Sequence, residues 1–177
     1  MDPVRNPFAP GAGQRPPELA GRDRELDAFE IVLERVARGR PERSLVLTGL
    51  RGVGKTVLLG ELRSMAMRVG WGAGKIEARP EADLRRPLSA ALHRAIRDLA
   101  VRHPDPDRVD EVLGVLKAFA LRSAPEGAKL RERWQPGIDV AVRAGRADSG
   151  DIEIDLVELF TDAASLATDV GTGIALF

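Results

Sequence analysis

The chain contains no cysteine, which excludes disulfide bonds and metal sites built on thiolates. This absence fits the reducing environment of the cytoplasm. Only two histidines occur, His93 and His103, and neither has a second histidine or a carboxylate at the spacing expected of metal ligands. We therefore expect both to be ordinary surface or helix-face residues.

The chain also lacks an excess of either charge, because 27 basic residues balance 27 acidic ones. The composition therefore indicates no general affinity for nucleic acid or for an acidic membrane surface. No apolar run approaches the roughly 18 residues of a membrane span, and the first ten residues contain no signal-peptide core. We expect a cytoplasmic protein with no membrane partner, whose 177 residues suffice for a core.

One motif stands out, the stretch Gly49–Thr56, which reads GLRGVGKT and follows the apolar run Ser44–Thr48. It matches the phosphate-binding loop pattern, in which Gly, any four residues and Gly-Lys-Ser/Thr connect a strand to a helix. The glycines at 49, 52 and 54 let backbone N–H groups approach phosphate oxygens, where side chains would obstruct them. The pattern predicts a site for a nucleoside triphosphate.

Each polar residue type in the motif has a role in that chemistry. Lys55 is placed to reach the β- and γ-phosphates, and the Thr56 hydroxyl is placed to ligate Mg²⁺. The backbone N–H groups around Arg51, Val53 and Val57 complete the expected cradle, and the positive end of the following helix dipole faces the anion. The alternative interpretation is a Gly-rich turn with one solvated lysine.

The absence of a sequence pattern distinguishes between ATP and GTP as the expected nucleotide. No Asn-Lys-x-Asp string, the guanine-selecting pattern of GTPases, occurs in the chain, which favours ATP over GTP. We therefore expect ATP and Mg²⁺ as the ligands of the loop.

Strands alternate with helices along the chain, which predicts an α/β fold with a parallel sheet. Asp23 and Asp155 are expected to cap the first and last helices. As an alternative, the segment Ile152–Asp155 is an apolar strand that ends in an acid binding Mg²⁺. Charged residues alternate with its isoleucines and interrupt the apolar run, which favours the role of Asp155 as a helix cap. The expected elements are helices over 23–38, 55–69, 87–101, 109–119 and 155–170, strands over 44–48, 73–78, 138–142 and 174–177, and a turn over 145–150.

The first 20 residues form a separate segment. They contain five prolines and two glycines, which oppose regular secondary structure and predict an extended arm, with a disordered tail as the alternative. We expect the folded domain to span residues 21–177.

The string LAGRDREL at 19–26, then a helix, then LVLTGLRGVGKTVLL at 45–59, resembles the AAA-type ATPases of the origin-recognition and archaeal ATPase group and the related STAND signalling ATPases. The arm NPFAPGAGQRPPEL looks like that of bacterial ATP-binding proteins of this type. The resemblance covers about residues 7–69. It implies a P-loop NTPase fold, and it places Gly21 and Arg22 near the adenine and ribose.

The resemblance is incomplete in its later part. In the family, the apolar strand after the helices ends in an Asp-Glu pair that assists Mg²⁺ and activates water, and a sensor strand, an arginine-bearing segment and a helical lid follow. Here the apolar run 174–177 carries no such pair. The resemblance therefore implies the N-terminal part of an AAA-type ATPase domain, a sheet flanked by helices and incomplete at its C-terminal end, with no catalytic residue of its own.

Three functions follow from these expectations. The first is ATP binding in this chain, with hydrolysis only in a longer parent protein. The second is a nucleotide-dependent regulatory switch, of the STAND or origin-recognition kind, that controls a DNA or protein partner through regions outside this chain. The third is a phosphotransferase acting on a small molecule, against which the Gly21-Arg22 motif argues. The sequence does not indicate an oligomeric state.

Overall fold

The computed structural model describes residues 21–78, 84–122 and 137–177. The expected arm over residues 1–20 lies outside the described residues. The chain divides into two compact units, Met1–Val69 and Gly70–Phe177. Within the described ranges, no helix combines the length and the apolar character needed to cross a membrane.

In the first unit, residues 21–69 form two helices, α1 (Asp23–Ala37) and α2 (Lys55–Arg68), which pack against each other. Both confirm the helices predicted from the spacing of apolar residues. Gly39 ends α1 with φ of 70°, and its N–H donates to the Val36 carbonyl at 2.9 Å. The buried apolar side chains of this unit are Phe29, Leu33, Leu58, Leu62 and Ala66.

The prediction that Asp23 caps α1 is wrong. Arg22 occupies the cap position and makes no side-chain capping hydrogen bond, and Asp23 is the first helical residue. Asp23 and Glu25 both lie in the first turn, where their negative charges interact favourably with the positive end of the helix dipole. The acid therefore stabilises the helix start by its charge and not by capping.

The strand predicted over 44–48 is also wrong. These residues are irregular and largely exposed, and Val46 is 81% exposed. A strand needs a neighbour to satisfy its backbone N–H and C=O groups, and no strand of the described residues pairs with this segment. The β-propensity of Leu45, Val46 and Leu47 alone does not make a strand, because that propensity expresses packing against neighbours.

The described residues of the second unit form a two-stranded parallel sheet and three helices. Strand β1 (Gly72–Gly74) pairs with β2 (Ile174–Leu176), with Gly72 opposite Ile174 and Gly74 opposite Leu176. The helices are α3 (Arg85–Ala100), α4 (Pro106–Leu121) and α5 (Ile152–Asp169). Their buried side chains form one core that includes Leu92, Ile96, Leu99, Val112, Leu116, Phe119, Leu159 and Leu166.

Glycine in β1 has a packing reason. A Cβ atom at Gly72 would lie 2.4 Å from the Ala95 carbonyl oxygen, and one at Gly74 would lie 2.6 Å from the Ala91 carbonyl oxygen. Strand β1 therefore approaches the backbone of α3 more closely than any side chain permits. The predicted strand 73–78 begins one residue earlier and is shorter than expected, although the Ile76 N–H still donates to the Phe177 carbonyl at 2.6 Å.

The last strand confirms the parallel pairing predicted for 174–177, but its residues are half-buried and not fully buried. The strand predicted over 138–142 is wrong, because this segment is irregular. It lies along α4, where the Lys117 ammonium donates to the Val140 carbonyl at 2.7 Å. A helix side chain thus satisfies one of its backbone groups, while Ile138 enters the core. The turn predicted over 145–150 is confirmed.

Both interpretations of Asp155 are wrong. The side chain of Asp151 caps α5, accepting from the N–H groups of Glu153 at 2.9 Å and Ile154 at 3.5 Å, so residues 152–155 are helical and not a strand. Asp155 is instead completely buried, and its carboxylate forms an ion pair with Arg85 at 3.0 Å. It also accepts from the Ser149 N–H at 2.8 Å and the Ser149 hydroxyl at 2.7 Å.

These contacts determine the charge state of Asp155. Burial alone would raise the pKa of its carboxyl, but the hydrogen bonds from Ser149, Arg85 and Gly150 outweigh burial and lower that pKa below its usual value. The Arg85 guanidinium, which lies 4.8 Å from the centre of the Phe119 ring, is held between this carboxylate and that ring. The Asp155 carboxyl therefore ionises more readily than a free one, and its ion pair with Arg85 joins α3 to the start of α5.

The two histidines differ from each other. His93 is half-buried on α3, as expected of a helix-face residue, and burial lowers its pKa, with a further contribution from Arg97. The expectation is wrong for His103, whose side chain is only 2% exposed and whose Nε2 lies 3.4 Å from the Asp169 carboxylate. The contact joins residues 66 positions apart, which spacing along the chain does not reveal.

Candidate functional site

The glycines of the loop adopt conformations that other residues rarely reach. Gly52 has φ of 85° and Gly54 has φ of 81°, both in the left-handed region, and Gly49 has φ of 144°. A side chain at any of the three would strain the backbone. Residues 49–54 are all exposed, so this irregular backbone is not required by packing in a core.

The loop leads directly into the first turn of α2. Gly54 is the N-terminal cap residue of α2 and provides no side-chain hydrogen bond. The first backbone hydrogen bond of the helix runs from the Leu58 N–H to the Gly54 carbonyl at 2.9 Å. The N–H groups of Lys55, Thr56 and Val57 therefore have no acceptor within the helix. Together with the positive end of the helix dipole they offer donors to an anion.

The two polar side chains of the motif lie at this helix start. The Lys55 ammonium donates to the Gly49 carbonyl at 2.8 Å and to the Leu50 carbonyl at 2.6 Å, so it lies against the loop. Thr56 is exposed, and its hydroxyl makes no hydrogen bond with any described residue. Arg51 is exposed within the same loop.

Arg22 connects this loop to α1. Its Nη2 donates to the Val53 carbonyl at 2.7 Å, and its Nη1 donates to the Glu25 carboxylate at 2.9 Å. The hydrogen bond from Arg22 is the main reason that the pKa of Glu25 is lowered. Gly21, which precedes it, has φ of 73°. The structure thus brings the Gly21-Arg22 pair to the loop, 31 residues further along the chain.

A shallow pocket in the same unit was not predicted from the sequence. It lies between α1, α2 and the irregular segment 45–47. The sequence predicts that the apolar residues of this segment form a strand, so they were not expected to line a pocket. The residues lining the pocket are Arg24, Glu25, Ala28, Leu45, Val46, Leu47 and Leu62.

The residues of the loop fit a magnesium-bound triphosphate. Mg²⁺ usually takes one or two oxygen ligands from the protein and the rest from phosphates and waters. The exposed Thr56 hydroxyl can supply such a ligand, and the Lys55 ammonium and the free N–H groups can face the phosphates. Among the described residues, no group of three or more His, Cys, Asp or Glu side chains is arranged to hold a metal by itself.

A family model described as AAA ATPase domain matches residues 18–177. The match includes Gly21, Arg22 and the whole loop, and it extends through the second unit to β2. Neither the curated proteins nor the solved structures contain a significant match to this chain.

Proposed function

The chain belongs to the AAA ATPase domain family, and from this premise we propose that its Gly49–Thr56 loop binds the triphosphate of ATP together with Mg²⁺. One observation carries the proposal. The left-handed glycines, the uncapped start of α2 and the Lys55 ammonium all meet at one exposed loop. Such a loop concentrates N–H donors and positive charge where a polyanion can reach them.

Each residue has a defined part in this proposal. Lys55 exchanges its two carbonyl acceptors for phosphate oxygens, because a hydrogen bond between two charged groups is stronger than one to a neutral carbonyl. The N–H groups at Gly52, Gly54 and Thr56 donate to the phosphates, and the Thr56 hydroxyl holds Mg²⁺. The bound metal neutralises part of the phosphate charge.

The nucleoside half is assigned to the surface beside α1. Gly21 and Arg22 lie next to the loop, and Ala28, Leu45 and Leu62 give the neighbouring pocket an apolar lining. An adenine ring needs such an apolar surface together with a few polar groups. Proximity to the loop within the same unit supports this assignment.

We assign binding, and not turnover, to the described residues. The acid that the sequence offered as an alternative metal ligand was Asp155, and its carboxylate is already engaged by Arg85, Ser149 and Gly150. Hydrolysis needs a group that positions the attacking water. In the origin-recognition and STAND ATPases, which the sequence resembles, an acidic pair supplies it.

A second function, that of a nucleotide-dependent switch, is favoured by the contact of Arg22 with Val53. Through this hydrogen bond, a rearrangement of the loop on nucleotide binding would act directly on the first turn of α1. Such a coupling can bias a DNA or protein partner when the two nucleotide states differ in their contacts. It operates with or without rapid turnover.

The test of ATP binding is a titration of the purified chain with fluorescent ATP. Lys55→Ala should weaken binding by about tenfold or more, because it removes a charged donor to the phosphates. Lys75→Ala is the matched control, since Lys75 is exposed in the other unit and should bind like wild type. Circular dichroism checks that both variants are folded. Equal affinity of Lys55→Ala and wild type would remove the assignment.

A further inference from the structure

Another cavity, of about 240 Å³, lies in the second unit between α4, α5 and the irregular segment 143–146. Three arginines line it, namely Arg108 on α4 and Arg143 and Arg146 on the segment. None of them belongs to the phosphate loop or to the pocket beside α1. The residues that line this cavity are therefore not part of the site proposed above.

The walls of this cavity are fixed by hydrogen bonds. The Arg143 N–H donates to the Gly114 carbonyl of α4 at 3.2 Å, and the Ala147 N–H donates to the Glu158 carboxylate of α5 at 2.6 Å. Gly114 allows the close approach, because a Cβ atom there would lie 2.7 Å from the Ala141 carbonyl oxygen. The segment is thus held on both helices, and the cavity is preformed.

Ion pairs connect the charged side chains that line the cavity. Glu111 is shared, since its carboxylate accepts from Arg108 at 3.3 Å and also from Arg143. Arg146 pairs with Asp162 at 3.0 Å. The lining therefore holds three guanidinium groups and two carboxylates, while the Glu158 and Asp148 carboxylates accept hydrogen bonds from the backbone N–H groups of Ala147 and Gly145 beside it. Each guanidinium carries five N–H donors, and contacts with described residues use at most two of them in any of the three.

We propose that this cavity binds a small organic anion. Guanidinium groups match the geometry of carboxylate and phosphate oxygens, and the remaining N–H donors of Arg143 and Arg146 would bind them. Val112 and Val115 also line the cavity and provide an apolar surface for the rest of the ligand. Because the cavity is smaller than the roughly 300–1,000 Å³ of pockets for drug-sized ligands, the ligand is small.

The probes are inorganic phosphate, phenyl phosphate and benzoate, with benzylamine as the control of opposite charge. They are titrated into the ¹⁵N-labelled full chain carrying Lys55→Ala, so that the phosphate loop contributes little, and the arginine side-chain N–H signals are followed by NMR. We expect saturable shifts of the Arg143 and Arg146 signals with the aromatic anions and none with benzylamine. Comparing phenyl phosphate with benzoate identifies the preferred oxyanion, and inorganic phosphate shows whether the apolar part contributes.

Substitutions locate the binding. Arg143→Gln and Arg146→Gln should each weaken the better aromatic anion by about tenfold. Arg94→Gln is the matched control, because Arg94 is exposed on α3 and does not line the cavity. Ala144→Leu fills the cavity without changing its charge, and it should also weaken binding.

Two outcomes would overturn the proposal. One is that none of the anions gives a saturable shift, which would leave the arginines as an ion-pair network that only holds the segment 143–146 on α4 and α5. The other is that both Arg146→Gln and Ala144→Leu bind as tightly as the parent chain, which would place the anion elsewhere. If an arginine variant does not fold, the result for Ala144→Leu decides alone.

Discussion

Replacing Arg22 tests how the start of α1 contributes to nucleotide binding. Arg22→Met keeps most of the length of the side chain but removes the hydrogen bond to the Val53 carbonyl and the ion pair with Glu25. The structure shows Arg22 in contact with the loop backbone. We therefore expect the variant to weaken the binding of any ligand that needs the loop in this conformation.

The magnitude follows from the exposure of the contact. A hydrogen bond from a charged group contributes about 1.5–3 kcal/mol, but this one is exposed, and solvent competition reduces it. We expect a loss of about 1 kcal/mol, which corresponds to roughly a fivefold weaker affinity. The loss should be equal for ATP and ADP, because the Val53 carbonyl is not a γ-phosphate contact.

The assay is calorimetric titration of three ligands, ATP, ADP and inorganic tripolyphosphate, into wild type and Arg22→Met. If Arg22 acts by holding the loop, all three should weaken by a similar factor. Two controls accompany the variant. Glu25→Gln removes the ion pair and leaves the Val53 contact, so it should have the smaller effect, and Arg38→Met changes an arginine at the other end of α1.

Three results would refute the loop-holding role of Arg22 in different ways. Unchanged tripolyphosphate binding beside weaker ATP and ADP binding would mean that Arg22 contacts the adenosine half, as the family resemblance implies. A loss confined to ATP would place Arg22 beside the γ-phosphate. If all three ligands bind Arg22→Met as tightly as wild type, the contact with Val53 has no role in the site.

Three further predictions concern stability. Asp155→Asn should lower the free energy of unfolding by about 3–5 kcal/mol, measured by urea denaturation, because it removes the charged carboxylate from a buried ion pair with Arg85. The pKa of Asp155 in the folded state is lowered from 3.8, so the stability that this carboxylate contributes is fully present above about pH 4 and is lost as the pH falls through the folded-state pKa. The difference in Tm between wild type and Asp155→Asn should therefore shrink at low pH. A difference in Tm that stays constant with pH would contradict this prediction. Gly74→Ala should destabilise the fold by about 1–3 kcal/mol, because the added Cβ atom would lie 2.6 Å from the Ala91 carbonyl oxygen. Gly60→Ala on α2 should instead stabilise the fold by roughly 0.5–1 kcal/mol, because no atom lies within 4 Å of a Cβ atom there and alanine favours a helix more than glycine does.

The sequence predicts most of the helices because their buried residues recur with the helical period. In α3 the apolar residues Leu88, Leu92, Ile96 and Leu99 are all buried, as their spacing requires. The phosphate loop is also predictable, since its residue types and their order follow from what a phosphate needs. The helical spacing of apolar residues and the phosphate-loop motif are both local signals, because each involves residues that are close together in the sequence.

The predicted cap of α5 fails because two acids compete for that position. Asp151 and Asp155 are both suitable types, and they are separated by a single helical turn. Gly150, with φ of 97°, turns the chain immediately before Asp151, so the helix starts there. Asp155 then points into the core, where its partner Arg85 comes from a position 70 residues earlier. No local pattern encodes that ion pair.

The failure at 44–48 has a different cause and bears on the function. Leu45, Val46 and Leu47 are equally compatible with a buried strand and with the wall of a pocket, and the sequence does not distinguish them. A partner strand would bury them, whereas in the described part of the first unit they line the pocket beside α1. The conformation of this segment therefore determines the position of the backbone that leads into the phosphate loop. It also determines which apolar surface is available to the adenine ring of the proposed ATP ligand. Because the segment runs directly into Gly49, any ligand that orders it should also restrict the loop, and the two halves of the proposed ATP site are then coupled through the backbone.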